Sequence, residues 1–191
     1  MPMPEACSRF EQSRDMALAL FASKGFGQVS MRELATHLGL TAGSLYHHFP
    51  SKQHLLFDLI EEFYDELQAA LTLCTRRLRA GGKPLTEVLQ AHLALHRAKP
   101  LHFRLAERDS RCLSEAQRAH VSVLRDTYEQ QLLKVLGLSF SVECRAGAGH
   151  AVANLLNSLP GWLEGSALTE PQRTALMENM LGGAIAHLAT T

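Results

Sequence analysis

The segment Ser30-Met31-Arg32-Glu33-Leu34-Ala35-Thr36-His37-Leu38-Gly39-Leu40-Thr41-Ala42-Gly43-Ser44-Leu45-Tyr46-His47-His48-Phe49-Pro50 holds two short helical patterns back to back. Met31, Leu34, Ala35 and Leu38 recur at i, i+3, i+4 and i+7, the spacing of one helix face. Ser30 through Glu33 has the order of a capping box, and Gly39 ends the run. Thr41 heads a second helix whose inward positions are Ala42, Leu45 and Phe49. Pro50 closes it, because the residue before a proline avoids helical geometry. Two such helices joined by Gly39-Leu40-Thr41 fit a helix-turn-helix, with the second helix placed for a DNA major groove. Thr41, Gly43, Ser44, Tyr46, His47 and His48 are left facing outward, all small or hydrogen-bonding. Gly43 lowers helix stability by about 1 kcal/mol relative to Ala, and close approach to another surface is a reason to tolerate it. An ordinary helical hairpin with a polar outer face has the same pattern, so spacing alone leaves both readings open.

Outward from this pair the chain stays helical, and no stretch alternates with period two. A helix over 5–24 precedes it, with Phe10, Ala17, Leu20 and Phe21 on one face and Gly25 as its stop. A long fourth helix follows from Ser51 to Arg79, striped by Leu55, Leu56, Leu59, Ile60, Phe63, Leu67, Ala70, Leu71 and Cys74. Gly81-Gly82-Lys83-Pro84 breaks it and starts a fifth helix, which ends at Lys99-Pro100. A sixth runs from Leu101 to Arg108 and a seventh from the capping box Ser114–Gln117 to Leu136. An eighth begins at Ser141, rich in Ala and Gly, and a ninth runs from Thr169 towards Leu188. The expected fold is all-α, with nine helices and no internal repeat.

Composition narrows the function. The chain has 191 residues, 19 Lys plus Arg against 19 Asp plus Glu, and 46% hydrophobic residues, enough for a real core and too apolar for a disordered polyelectrolyte. The first 55 residues carry five basic and four acidic groups, so any DNA contact depends on a few placed side chains rather than a basic coat. No apolar run reaches the 18 residues of a spanning helix, and Met1-Pro2-Met3-Pro4-Glu5 lacks a signal-peptide pattern. The expected setting is soluble and cytoplasmic, with no membrane partner. Cys7, Cys74, Cys112 and Cys144 show no Cys-x-x-Cys spacing, which fits free thiols in a reducing compartment.

Residues Ala17 to Leu56 resemble the DNA-binding domain of the TetR (tetracycline-repressor) family of transcriptional regulators. The matching segments are Ala19-Leu20-Phe21, Lys24-Gly25-Phe26, Ser30 to Ala35, Gly39 to Tyr46, and His48-Phe49-Pro50-Ser51-Lys52 with Leu55-Leu56. Ser13-Arg14 departs from the apolar pair common in the family. The resemblance implies a helix-turn-helix domain over 1–50 and a helical ligand-binding and dimerisation domain over 51–191. It implies a repressor, released from a double-stranded DNA operator by a small apolar or acyl-type effector, with no cofactor and no enzyme activity.

The resemblance also distributes roles. Ser30 and Thr41, at helix N-termini, suit phosphates; Tyr46 and Lys52 resemble the family's backbone-contacting pair. Ala42, Ser44 and His47 stand where base edges are read, with Gly43 between them. Arg32 meets a phosphate or is an ordinary surface arginine, and His48 is a packed hinge histidine or a DNA contact. For the effector the candidates are Phe63, Leu67, Leu93, His96, Phe103, Leu124, Tyr128, Leu155 and Trp162, against the plain reading that such residues are core. Asn154-Leu155-Leu156-Asn157-Ser158-Leu159-Pro160-Gly161-Trp162 resembles the eighth helix of members that sense acyl-CoA thioesters. For a homodimer the candidates are Val152, Leu156, Leu176, Met177, Met180, Leu181, Ile185 and Leu188, or else this stripe covers the chain's own core.

Rival chemistries are thinly supported. His92 and His96 have metal-gripping i, i+4 spacing, but no third ligand is placed. Gly81-Gly82-Lys83 lacks the remaining positions of a phosphate loop. An enzyme built on His92, His96 and Glu107 lacks a nucleophile–base spacing, and an interaction module would dimerise without DNA.

Overall fold

Among the described residues, 5–188 with side chains from residue 11 onward, the computed structural model contains nine α-helices and no strand. They are α1 (Glu5–Lys24), α2 (Met31–His37), α3 (Ala42–His48), α4 (Lys52–Leu78), α5 (Pro84–Ala98), α6 (Pro100–Asp109), α7 (Glu115–Val135), α8 (Val142–Trp162) and α9 (Glu170–Leu188). The all-α expectation holds, and the helix ends fall within a few residues of those expected. Two short 3-10 turns, Phe26–Gln28 and Ser110–Cys112, had no sequence signal. The side chains of Cys7 and Phe10 lie outside the described residues.

Local chemistry explains the boundaries. Ser30 Oγ accepts from the Glu33 N–H at 3.1 Å, capping α2, and Thr41 Oγ1 accepts from the Ser44 N–H at 3.1 Å, capping α3. Ser114 and Gln117 complete a reciprocal capping box at α7, with bonds of 3.1 and 3.3 Å. Between α2 and α3, Gly39 sits at φ 66, a left-handed conformation that side chains disfavour, so the turn calls for glycine. No helix among the described residues is long and apolar enough to cross a membrane.

By packing, the chain divides into two compact units, each discontinuous in sequence. The first takes the chain up to Phe63 together with Pro100–Val121; the second takes Tyr64–Lys99 together with the chain from Ser122 onward. The 50/51 division expected from the sequence marks where the reading helices end, which is a different boundary from this one.

In the first unit α1 packs on α6, and α2 on α3. Phe21, Leu34, Leu45, Leu55 and Leu56 are fully buried, and Phe49 nearly so. Arg108 of α6 donates to the Phe21 and Ala22 carbonyls at 2.7 and 3.2 Å, near the C-terminal end of α1, where helical carbonyls need partners. The same guanidinium forks onto the buried Asp109 carboxylate at 3.1 and 2.7 Å. Arg14, the departure from the family pattern, reaches the Asp58 carbonyl at 3.1 Å and the Glu62 carboxylate at 2.5 Å. It ties α1 to α4 through polar bonds.

In the second unit α5, α8 and α9 pack mutually. Their buried faces are Val88, Leu89, Val152, Leu156, Met177 and Leu181. The small residues of α8 are divided between two roles. A Cβ on Gly149 would stand 3.1 Å from Glu129 Cβ, so this glycine admits α7, whereas a Cβ on Gly147 would meet nothing within 4 Å.

Candidate nucleic-acid interface

The outward face of α3 is built by what its inward face buries. Leu45 and Phe49 are 0% and 2% exposed, which turns Tyr46 (53% exposed), His47 and His48 to the surface. Ala42, expected inward from periodicity, is exposed: it lies in the first turn of α3, before the Leu45–Phe49 pair that anchors the helix. It therefore joins Thr41 and Gly43 on the exposed surface, with Ser44 half-buried beside them. Nothing lies within 4 Å of a Cβ placed on Gly43, and its φ is not positive, so nothing inside the chain requires glycine here. Arg32 is exposed on α2, and its guanidinium has no partner among the described residues.

One member of the expected set, Lys52, does more than the sequence indicated. Lys52 Nζ donates to the Phe26 and Val29 carbonyls at 2.9 and 2.7 Å and lies 4.4 Å from the Phe26 ring centroid. An ammonium has three donors; two fix the start of α4 to the segment before α2. Glu33, whose N–H Ser30 Oγ caps, also accepts from the Ser30 backbone N–H, as the capping box predicts. Its carboxylate also pairs with Lys24, and that hydrogen bond, with the Ser30 backbone bond adding to it, holds its carboxyl below the usual range.

The expected effector residues scatter. Phe63 and Phe103, in edge contact at 4.6 Å, belong to the first unit, and the other seven to the second. Trp162 is 63% exposed, while Leu93, His96, Leu124 and Leu155 are half-buried. Leu67 and Tyr128 line a cavity of about 10 Å³, joined by Ala70, Leu71, Val88, Ala91, His92 and Leu95. That is room for about one water. Val88, Ala91, His92 and Leu95 follow i, i+3, i+4, i+7 on α5, a stripe legible in the sequence; its facing alanines were the cue to a gap.

The expected dimer residues separate by face. Val152, Leu156, Met177 and Leu181 are buried in the chain's own core, Ile185 and Leu188 are half-buried, and Leu176 and Met180 are 38% and 42% exposed. No three His, Cys, Asp or Glu side chains among the described residues are grouped to hold a metal ion. Glu107 of the rival enzyme reading is exposed in the first unit, whereas His92 and His96 belong to the second.

Known proteins match this geometry. The family described as bacterial regulatory proteins, tetR family, matches residues 14–59. The HTH-type transcriptional repressor KstR2 of Mycobacterium tuberculosis is 39% identical over 62 residues, covering 32% of this chain and 31% of KstR2. The chain thus matches about a third of the length of these curated relatives. Over the whole fold, PfmR from Thermus thermophilus, a TetR family transcriptional regulator, is 25% identical with a TM-score of 0.71, covering 91% of this chain and 97% of PfmR. AibR, solved with isovaleryl coenzyme A and operator DNA, is 18% identical with a TM-score of 0.70, covering 93% and 98%. These are regulators rather than enzymes. Residues 14–59 thus match the tetR family of bacterial regulatory proteins, and the fold of the whole chain is shared with a solved regulator of that family.

Proposed function

We propose that the chain is a cytoplasmic, homodimeric repressor that reads a pseudo-palindromic operator through α3 and is released by a small apolar or acyl-type effector. The observation that carries the reading is the exposed face of α3, where Gly43 leaves a bare patch of backbone between Thr41 and the Tyr46–His47 pair. KstR2 is named as a repressor, and AibR is described with both operator DNA and an acyl-CoA, which supports the sign of regulation and the effector class. The reading requires a dimer: two reading helices enter successive major grooves only when held about 34–36 Å apart, or a multiple of it. An effector that prefers the wrongly spaced state draws the population off DNA, by no more than its differential affinity.

Gly43 allows a test in which stability and function move in opposite directions. Gly43→Ala is expected to stabilise α3 by about 0.5–1 kcal/mol, because it raises helix propensity and meets no atom. The same methyl stands where DNA would approach, so affinity for the chain's own upstream region should fall. Thermal melting and a gel-shift titration at fixed salt measure the two effects. A variant both more stable and equally tight on DNA removes α3 as the reading helix.

Tyr46 and His47 separate positioning from reading. Tyr46→Phe is expected to weaken binding to all sequences alike, through loss of a phosphate contact. His47→Ala is expected to change the ranking of operator variants by about 1–3 kcal/mol per affected base pair. Uniform losses for both, in the same gel-shift series, assign His47 to the backbone instead.

A further inference from the structure

We propose that Lys52 is a positioning residue that closes the helix-turn-helix into a ring, so that its effect on DNA reading runs through the placement of α2 and not through a bond to phosphate. This role rests on the DNA-reading proposal above and replaces the backbone contact that the family resemblance implies. Val29 immediately precedes Ser30, the N-cap of α2, and Lys52 opens α4 shortly after Phe49, the C-cap of α3. The 2.7 Å bond from Lys52 Nζ to the Val29 carbonyl therefore joins the chain entering α2 to the chain leaving α3, 23 residues further on. Both reading helices lie inside the loop that this bond closes, and a closed loop has less freedom to lose when its contents are ordered.

The segment that Lys52 holds is short and lightly built. Gly25 opens it at φ 88, the 3-10 turn Phe26–Gln28 fills it, and a Cβ on Gly27 would meet nothing within 4 Å. Its turn is made by the Gln28 N–H on the Gly25 carbonyl at 3.1 Å and the Val29 N–H on the Phe26 carbonyl at 3.3 Å. Its side-chain anchors are Phe26 and Val29, 4% and 1% exposed, with the Phe26 ring edge-on to Phe21. The Lys52 ammonium bonds the carbonyls of these same two residues and lies 4.4 Å from the Phe26 ring centroid. Carbonyls and ring face thus form one cradle for the cation. An ammonium that leaves this cradle for a phosphate forfeits both bonds and the ring. At the other end of the segment Lys24 pairs with Glu33, so two lysines fasten α2, one from α1 and one from α4.

Lys52→Met keeps the aliphatic stem and removes the ammonium. It is expected to weaken binding to the chain's own upstream region by about tenfold, with the slope of log affinity against log salt as in the unsubstituted chain. A lost phosphate contact lowers that slope by about 0.9 per lysine instead. In the protein without DNA, the α2 amides of the variant should exchange with deuterium about tenfold faster, a change that a phosphate contact does not produce. The unsubstituted chain gives a measurement independent of how the variant folds. Nitrogen-15 spectra of its Lys52 ammonium should show coupling across the hydrogen bonds to the Phe26 and Val29 carbonyl carbons, both before and after the DNA is added. A slope lowered by about 0.9 per lysine, α2 exchange unchanged in Lys52→Met, or coupling of the ammonium to phosphorus-31 in the complex overturns the proposal. An unsubstituted chain that does not bind the DNA rejects the regulator reading by itself; the exchange rates and carbonyl couplings of the free protein then still decide whether Lys52 orders α2.

Discussion

Replacing Leu176 and Met180 together by Glu is expected to yield a folded monomer whose affinity for DNA falls by about 100-fold or more. Both side chains are exposed on α9, at 38% and 42%, so in the isolated chain the new carboxylates remain hydrated and folding is little affected. In a two-fold interface, the commonest closed assembly, each carboxylate appears twice in a dry contact, at several kcal/mol apiece. A lone subunit engages one half-site and forfeits the second set of contacts. Met177→Glu is the counterpart: Met177 is 4% exposed, so its carboxylate enters the chain's own core and unfolding is expected instead. Sedimentation velocity, circular dichroism and gel shift read the three properties separately. A Leu176→Glu, Met180→Glu double variant that still sediments as a dimer places the interface elsewhere.

Phe21→Ala is expected to lower the unfolding free energy by about 3–5 kcal/mol, the range for removing a large buried aromatic. Phe21 is 0% exposed and meets the Phe26 ring edge-on at 5.2 Å, a geometry that adds about 0.5–1.5 kcal/mol to the area it buries. Its neighbourhood is tied by Arg108 above and by Lys52 beneath Phe26, so the cavity closes poorly. Since whole domains are stable by only about 5–15 kcal/mol, much of the variant should be unfolded at moderate urea. Equilibrium denaturation measures this. A loss under about 1.5 kcal/mol means that the first unit relaxes around the gap, contrary to the tight packing described.

What the sequence made legible was local. Helix faces, capping residues and the glycine turn at Gly39 depend on neighbours within a few positions, and they emerged with nearly correct boundaries. The α9 stripe shows where that stops. Periodicity reports that Leu176, Met177, Met180 and Leu181 are apolar, but only packing reveals that Met177 and Leu181 serve the chain's own core while Leu176 and Met180 do not. Ala42 went astray because a single residue in a first turn fits either face. Lys52 resembled a phosphate contact, and nothing near it in sequence announces the two carbonyls it holds. The effector candidates were chosen as large apolar residues, whereas the cavity arises where small ones, Ala70 and Ala91, fall short. Arg108 passed as a helix end because its partners lie 86 and 87 residues away.

The discontinuity of the first unit bears on how the protein is made. Its helix-turn-helix leaves the ribosome early, but α6, whose Arg108 holds the end of α1, belongs to a segment that ends at Val121. Between the emergence of Phe63 and that of Val121, at about 5–20 residues per second, the nascent chain waits about 3–12 seconds with its first unit incomplete. During that interval the face of α1 that packs on α6 is open to chaperones, and the first unit cannot be complete before about a third of the second has been made.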